Sequence, residues 1–229
     1  MTSCVKSACL YGIDGFVVDV ECYSSGTHGN FTLVGLPDAA VKESYSRIKA
    51  AVRSSGIEFP SASITVNLAP ADRIKQGTGF DIAILLSILK CGTLVSADTD
   101  CKCFVGEVSL TGDIRPVRGV LSMTIAAKNA GLAEIYVPEV NANEAAVVDG
   151  IDVYGVRSVA QLVRHLLGIE RMDKTTVDKK EMFERSYSLI NDMSEVKGQE
   201  NAKLALEVAA AGMHNVLLLD DLLHPEKSE

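Results

Sequence analysis

Tryptophan is absent from this 229-residue chain, and aromatic residues make up only 5% of it. With so few rings, Ala, Val, Ile and Leu must do most of the packing, which suits an α/β or α+β domain. No apolar run is long enough to span a bilayer, and the N-terminus has no apolar signal-peptide core. A cytoplasmic protein without a membrane partner is therefore expected. Its six cysteines (Cys4, Cys9, Cys22, Cys91, Cys101, Cys103) read as reduced thiols. A basic excess is lacking too. The net charge of −8 removes any long-range attraction to nucleic acid and leaves only local patches as candidates. His28, His165, His214 and His224 stand apart, and the CxC of Cys101 and Cys103 has no second Cys/His cluster. No metal site is expected.

What is present is apolar: 47% hydrophobic residues, enough for a substantial core. Alternating apolar and polar residues predict strands at SCVKSACLY, FVVDVECYS and NFTLVGL, within residues 4–35. Pro37-Asp38 opens a helix running from Ala39 to Ser54, with Asp38 or its neighbour as cap. SITVNLAP (63–70) is a strand, and FDIAILLSILKCG is a nearly all-apolar, hence buried, helix. KCFVGEVSL is a strand, TGDIRPVRG a hairpin return and GVLSMTIAAKNAG a helix ending at Gly131. EIYVP, NANEAAVV and IDVYGV continue as strand, short helix and strand, and SVAQLVRHLLG (158–168) is an amphipathic helix. The expected organisation is a domain over 1–168, a charged linker over 169–186 and a second unit over 187–229, beginning near Tyr187.

Two glycine-bearing loops stand out, Asp72–Asp81 (DRIKQGTGFD) and Gly106–Gly119 (GEVSLTGDIRPVRG). With GLPDAAVKES (35–44) and VNLAPAD (66–72), their order resembles the Lon-protease-like domain of the ComM/YifB family of magnesium-chelatase-like AAA+ proteins, over roughly residues 1–170. The resemblance implies an α/β (α+β) sandwich of the Lon-protease-like, ribosomal protein S5 domain 2-like type. It also invites a test for Ser–Lys peptidase chemistry, in which a lysine activates a hydroxyl. The family's serine position falls on Gly79 and its lysine on Met123, so neither partner is present. An improvised pair of Thr78 with Lys75 or Lys128 is the enzymatic alternative.

The charged residues of these loops have open readings. Arg73 and Lys75, with Arg115 and Arg118, would make a small basic patch for phosphate or DNA if they meet in space. Arg73 and Lys75 read equally as solvated loop charges, with Asp81 capping the next helix and Glu107 pairing Arg115 or Arg118.

The stretch VKGQENAKLALEVAAAGMHNVLL (196–218) resembles the opening of the family's P-loop AAA+ module. The resemblance puts Val196, Lys197, Gly198 and Gln199 beside adenine, then a helix over 200–212 and a strand over 214–219. The phosphate loop itself, G-x-x-x-x-G-K followed by Ser or Thr, occurs nowhere in the chain. Asp220 and Asp221 stand in its place. The resemblance therefore implies a truncated ATPase start, with ATP and Mg²⁺ as cofactors of intact relatives and none for this chain. The expected role is a non-catalytic assembly and interaction domain of proteins that process DNA during natural transformation. DNA binding through Arg73, Lys75, Arg115 and Arg118 is the alternative. Self-association is open, with a monomer or weak oligomer expected.

Overall fold

The structure is a computed structural model that describes residues 1–26, 29–179 and 192–219. His28, His224, Asp220, Asp221 and the predicted start of the second unit near Tyr187 lie outside the described residues. By internal contacts the chain divides into two units, Met1–Asp178 and Lys179–Glu229.

The first unit opens with a long hairpin, β1 (Thr2–Tyr11) and β2 (Asp14–Ser25), followed by β3 (Phe31–Val34). Asp38 caps α1 (Ala39–Lys42) by accepting from the Val41 N–H at 2.8 Å. The predicted single helix is broken at Glu43 and resumes as α2 (Ser44–Ser54). Then come β4 (Ser63–Ala69), α3 (Asp81–Cys91) and β5 (Lys102–Phe104). The predicted strand KCFVGEVSL splits at Gly106, whose φ of +157° turns the chain. Its second half, β6 (Glu107–Val108), pairs with β7 (Ile114–Arg115) as a separate ribbon. The rest is α4 (Val120–Asn129), β8 (Glu134–Pro138), α5 (Ala142–Ala145), β9 (Asp152–Val156) and α6 (Val159–Leu166), the last capped by Ser158.

Seven strands form one sheet in the order β3-β4-β2-β1-β5-β8-β9. The β1–β2 and β2–β4 pairs are antiparallel, and β3–β4, β1–β5, β5–β8 and β8–β9 are parallel. Because side chains alternate across a strand, this mostly parallel sheet builds two cores. Phe104, Tyr136 and Tyr154 stack at 4.8 and 4.9 Å on the face shared with α2, α3 and α6. Their neighbours Cys103, Ile135 and Val153 pack with Met123 and Ala127 of α4 and Ala145 of α5 on the other. The expected α/β sandwich is therefore the observed fold. α3 is buried along nearly its whole length, as its apolar composition requires.

Part of the stretch read as linker belongs to this unit. Met172 N–H donates to His165 Nδ1 at 2.9 Å, Thr175 N–H donates to the Val153 carbonyl at 2.8 Å, and Lys174 pairs with Asp152 at 2.5 Å. Residues 172–175 thus run along the outer side of β9.

The second unit contains a 3-10 turn at Met193–Glu195 and α7 (Glu200–Gly212). Residues 214–219, predicted as a strand, form none. A strand needs a neighbour to satisfy its N–H and C=O groups, and no described residue pairs with HNVLLL. No helix among the described residues is long and apolar enough to cross a membrane.

Candidate functional site

The loop after β4 is held from both sides. Lys75 N–H donates to the Leu36 carbonyl and Asp38 N–H to the Lys75 carbonyl, while Gly77 N–H donates to the Asp38 carboxylate. Lys75 is itself wholly buried, and its ammonium donates to the carbonyls of Pro70 and Arg73. Burial pushes its pKa below the ordinary lysine value. This corrects the sequence reading: Lys75 is neither a solvated loop charge nor an anion ligand. Its hydrogens are committed to closing the loop on itself.

Asp81 also departs from expectation. It lies inside the first turn of α3, where Phe80 holds the cap position, and it makes no cap. Instead its buried carboxylate takes both Arg47 Nε and Nη2, at 2.9 and 3.0 Å, and the Val108 N–H at 3.1 Å. Burial pushes the Asp81 pKa up, and Arg47 acts against that rise. The bidentate clamp ties α2, α3 and β6 together. Glu107 accepts from Arg115 at 3.4 Å, as its position suggested, and also from the Thr78 hydroxyl at 2.5 Å. Sequence reasoning missed both Arg47 and the Thr78–Glu107 contact. Arg47 stands in an ordinary helical pattern with nothing to mark its partner 34 positions away.

These ties shape a cavity of about 370 Å³ at the carboxyl end of β1, where Gly79 lies against Val105, the residue that follows β5. Its walls are residues 8–10 of β1, 76–80 of the loop, 116–118 beyond β7, and Met123 in the first turn of α4. The two positions where the resemblance expects a peptidase dyad, Gly79 and Met123, thus line one cavity. Neither carries a nucleophile or base. Thr78 lines the same space, but its hydroxyl is turned to Glu107. Of the lysines proposed as its partner, Lys75 is bound to carbonyls, and the Lys128 ammonium lies 3.9 Å from the site of a Cβ at Gly150. Neither of these two lysines is hydrogen-bonded to Thr78. The Cys9 thiol donates weakly to the Leu10 and Gln76 carbonyls, and burial raises its pKa, so it is a poor nucleophile.

The proposed basic patch is reduced to arginines. Arg73 is exposed and lies over the Tyr11 and Phe16 rings at 5.9 and 5.2 Å. Arg115 is exposed but paired with Glu107. Arg118 is exposed, makes no hydrogen bond or ion pair to a described residue, and borders the cavity. Val196, Lys197, Gly198 and Gln199 form an exposed turn in which Gly198 and Gln199 have φ of +65° and +60°. No phosphate loop accompanies them in the sequence. These residues do not fit a triphosphate with its Mg²⁺.

His165 accepts from Met172 N–H on Nδ1 and so carries its proton on Nε2, which faces the Tyr136 hydroxyl at 3.1 Å. Tyr136 in turn donates to Glu134 at 2.7 Å. This is a structural histidine that fastens the segment after α6. Cys101 is exposed and Cys103 buried, with burial pushing the latter's pKa to about 12.

Comparison with known proteins agrees with this architecture. The family "Subunit ChlI of Mg-chelatase" matches residues 18–141, and "Magnesium chelatase, subunit ChlI" matches 192–221. The competence protein ComM of Haemophilus influenzae is 36% identical over 94% of this chain and 42% of its own length. YifB of Escherichia coli is 34% identical over 95% and 42%, and an uncharacterised Mycobacterium tuberculosis protein is 40% identical over 93% and 42%. A Lon protease of Brucella suis is 26% identical over 68% of this chain and 20% of its own length. The chain thus spans less than half the length of the ComM- and YifB-type relatives it matches. It belongs to the magnesium-chelatase-like ChlI family that includes ComM and YifB.

Proposed function

We propose that this chain is the non-catalytic interaction unit of a magnesium-chelatase-like protein that serves DNA processing; the name of its relative ComM, "competence protein", supports a role in competence. The observation that carries this reading is the cavity itself. Gly79 and Met123 meet there, and the one hydroxyl nearby is engaged by a carboxylate. A Ser–Lys mechanism needs a lysine free to take the hydroxyl proton, and both candidate lysines are placed elsewhere. Fluorescent casein should give the same background signal with the wild-type chain and with Thr78→Ala. Hydrolysis by the wild type that Thr78→Ala abolishes would overturn the reading.

A second reading, direct DNA contact, draws on the exposed guanidiniums of Arg73 and Arg118 near the end of β1. Lys75 drops out of that surface and Arg115 is partly neutralised. Arg73, Arg115 and Arg118 together would give a log–log salt slope of about −2 on single strands, at roughly 0.7 per phosphate contact. Gel shifts with single-stranded and branched DNA, repeated with all three arginines changed to Ala, test it. Absence of a shift at low salt removes the reading for this chain.

A further inference from the structure

We infer that the cavity between β1, the 76–80 loop and residues 116–118 is a binding site for an apolar peptide end bearing a free carboxylate. The inference deepens the interaction-unit reading and rests on it for the ligand being held rather than cut.

Position comes first. β1 and β5 are parallel neighbours, α3 packs on one face of the sheet and α4 on the other. The cavity lies where the amino ends of those two helices approach the carboxyl ends of the two strands. In open α/β sheets this crevice is where ligands bind. A volume of about 370 Å³ lies within the range of small-ligand sites. The walls are mostly apolar, from Leu10, Phe80, Val117 and Met123.

Charge comes second. Among the described residues, Arg118 is the only charged side chain lining the cavity, and none gives it an anionic partner. The neighbouring cations have other partners: Lys75 has carbonyls, Arg115 has Glu107, Arg47 has Asp81, and Arg73 has Asp72 at 3.9 Å and the Tyr11 and Phe16 rings. Asn141 fixes the approach of Arg118 by holding Val117 at both N–H and C=O, each at 3.0 Å. A guanidinium fork on a rigid rim above an apolar pocket matches a carboxylate joined to an apolar side chain. A chain terminus ending in leucine has both groups on one residue. An internal peptide segment or an amide has only the apolar one.

Gly79 supplies the space. A Cβ there would meet only Val105 Cγ1 at 3.7 Å, an ordinary contact, and Gly79 has no positive φ. The residue is glycine without local backbone need, and a larger side chain at 79 would occupy the cavity without disturbing the fold.

The test uses the full chain labelled with ¹³C-methyl methionine, the Met123 signal being assigned by its loss in Met123→Leu. The probes are N-acetyl-Ala-Ala-Leu with a free carboxylate and the same peptide as C-terminal amide. The Met123 methyl signal should shift saturably with the acid. The amide should bind at least about tenfold more weakly, as expected for loss of a charged hydrogen bond. Arg118→Gln should weaken the acid by the same factor, and Gly79→Leu should abolish the shift with the melting temperature unchanged. No shift up to about 10 mM, ten times a millimolar Kd, overturns the site. Equal titration by acid and amide, or no effect of Arg118→Gln, overturns carboxylate recognition. Mass spectrometry of the recovered peptide separates the two claims. A cleaved peptide with a shifted Met123 supports the site and overturns the non-catalytic reading, whereas an intact peptide without a shift does the reverse.

Discussion

Lys75 and Arg73 stand two positions apart in one polar loop, yet one is buried and the other exposed. Spacing carries no hint of this, because a lysine bound to backbone carbonyls looks in sequence like any loop lysine. The carbonyls of Pro70 and Arg73 lose a buried donor if Lys75 is removed. Lys75→Met should cost about 1–3 kcal/mol, read as a lower urea midpoint at unchanged slope. Arg73→Met, on the surface, should stay within about 0.5 kcal/mol. Asp81 is a sharper case, since its carboxylate is buried and held by Arg47 and Val108. Arg47→Ala leaves that charge unpaired inside the protein and should cost about 3–5 kcal/mol. Equal stability of Arg47→Ala and wild type in urea would refute the clamp.

Among the elements, β3 shows how a glycine sets a strand end. Gly35 has φ +97°, and a Cβ there would fall 2.2 Å from the Leu68 carbonyl oxygen of β4. Both the left-handed backbone and the close approach exclude a side chain, so Gly35→Ala should destabilise by more than about 2 kcal/mol in thermal unfolding. The segment after α6 responds instead to pH. Burial holds His165 below the ordinary imidazole pKa, with Glu134 opposing and Lys102 and Arg171 assisting. The unfolded chain therefore binds the proton more tightly than the folded one. Stability from this site is complete above the unfolded value of about 6.5 and falls as pH drops through it. Protonation also removes the Nδ1 lone pair that accepts from Met172 N–H. The protection factor of the Met172 amide, which corrects for the intrinsic slowing of exchange at lower pH, should fall between pH 7.5 and 5.5, and His165→Phe should remove that pH dependence.

At the scale of the whole molecule, the unit Met1–Asp178 carries both cores. Residues 1–178 should fold alone, with a cooperative melt within about 5 °C of the full chain. Failure of that fragment to fold would show that the second unit contributes to the first. Much of this unit was legible in advance. The period-2 alternation of β1 and β2, the all-apolar α3, and the Asp38 cap are local patterns with local physical causes. The absence of a phosphate loop, and of serine and lysine at 79 and 123, is likewise a property of residues in order. Long-range geometry was not legible. Arg47 finds Asp81, Thr78 finds Glu107, and residues 172–175 lie along β9 only because the sheet brings distant segments together. The strand expected at 214–219 fails for the converse reason, since its apolar run has no described neighbour with which to pair. Sequence alone thus determined most of the elements of the first unit and the residue types at positions 79 and 123, because periodicity, capping and side-chain chemistry act over a few residues. Only the tertiary structure decided which charges stay free. Arg118 faces a cavity with no partner among the described residues while Lys75 is consumed, because burial and partnership depend on what folds against each side chain.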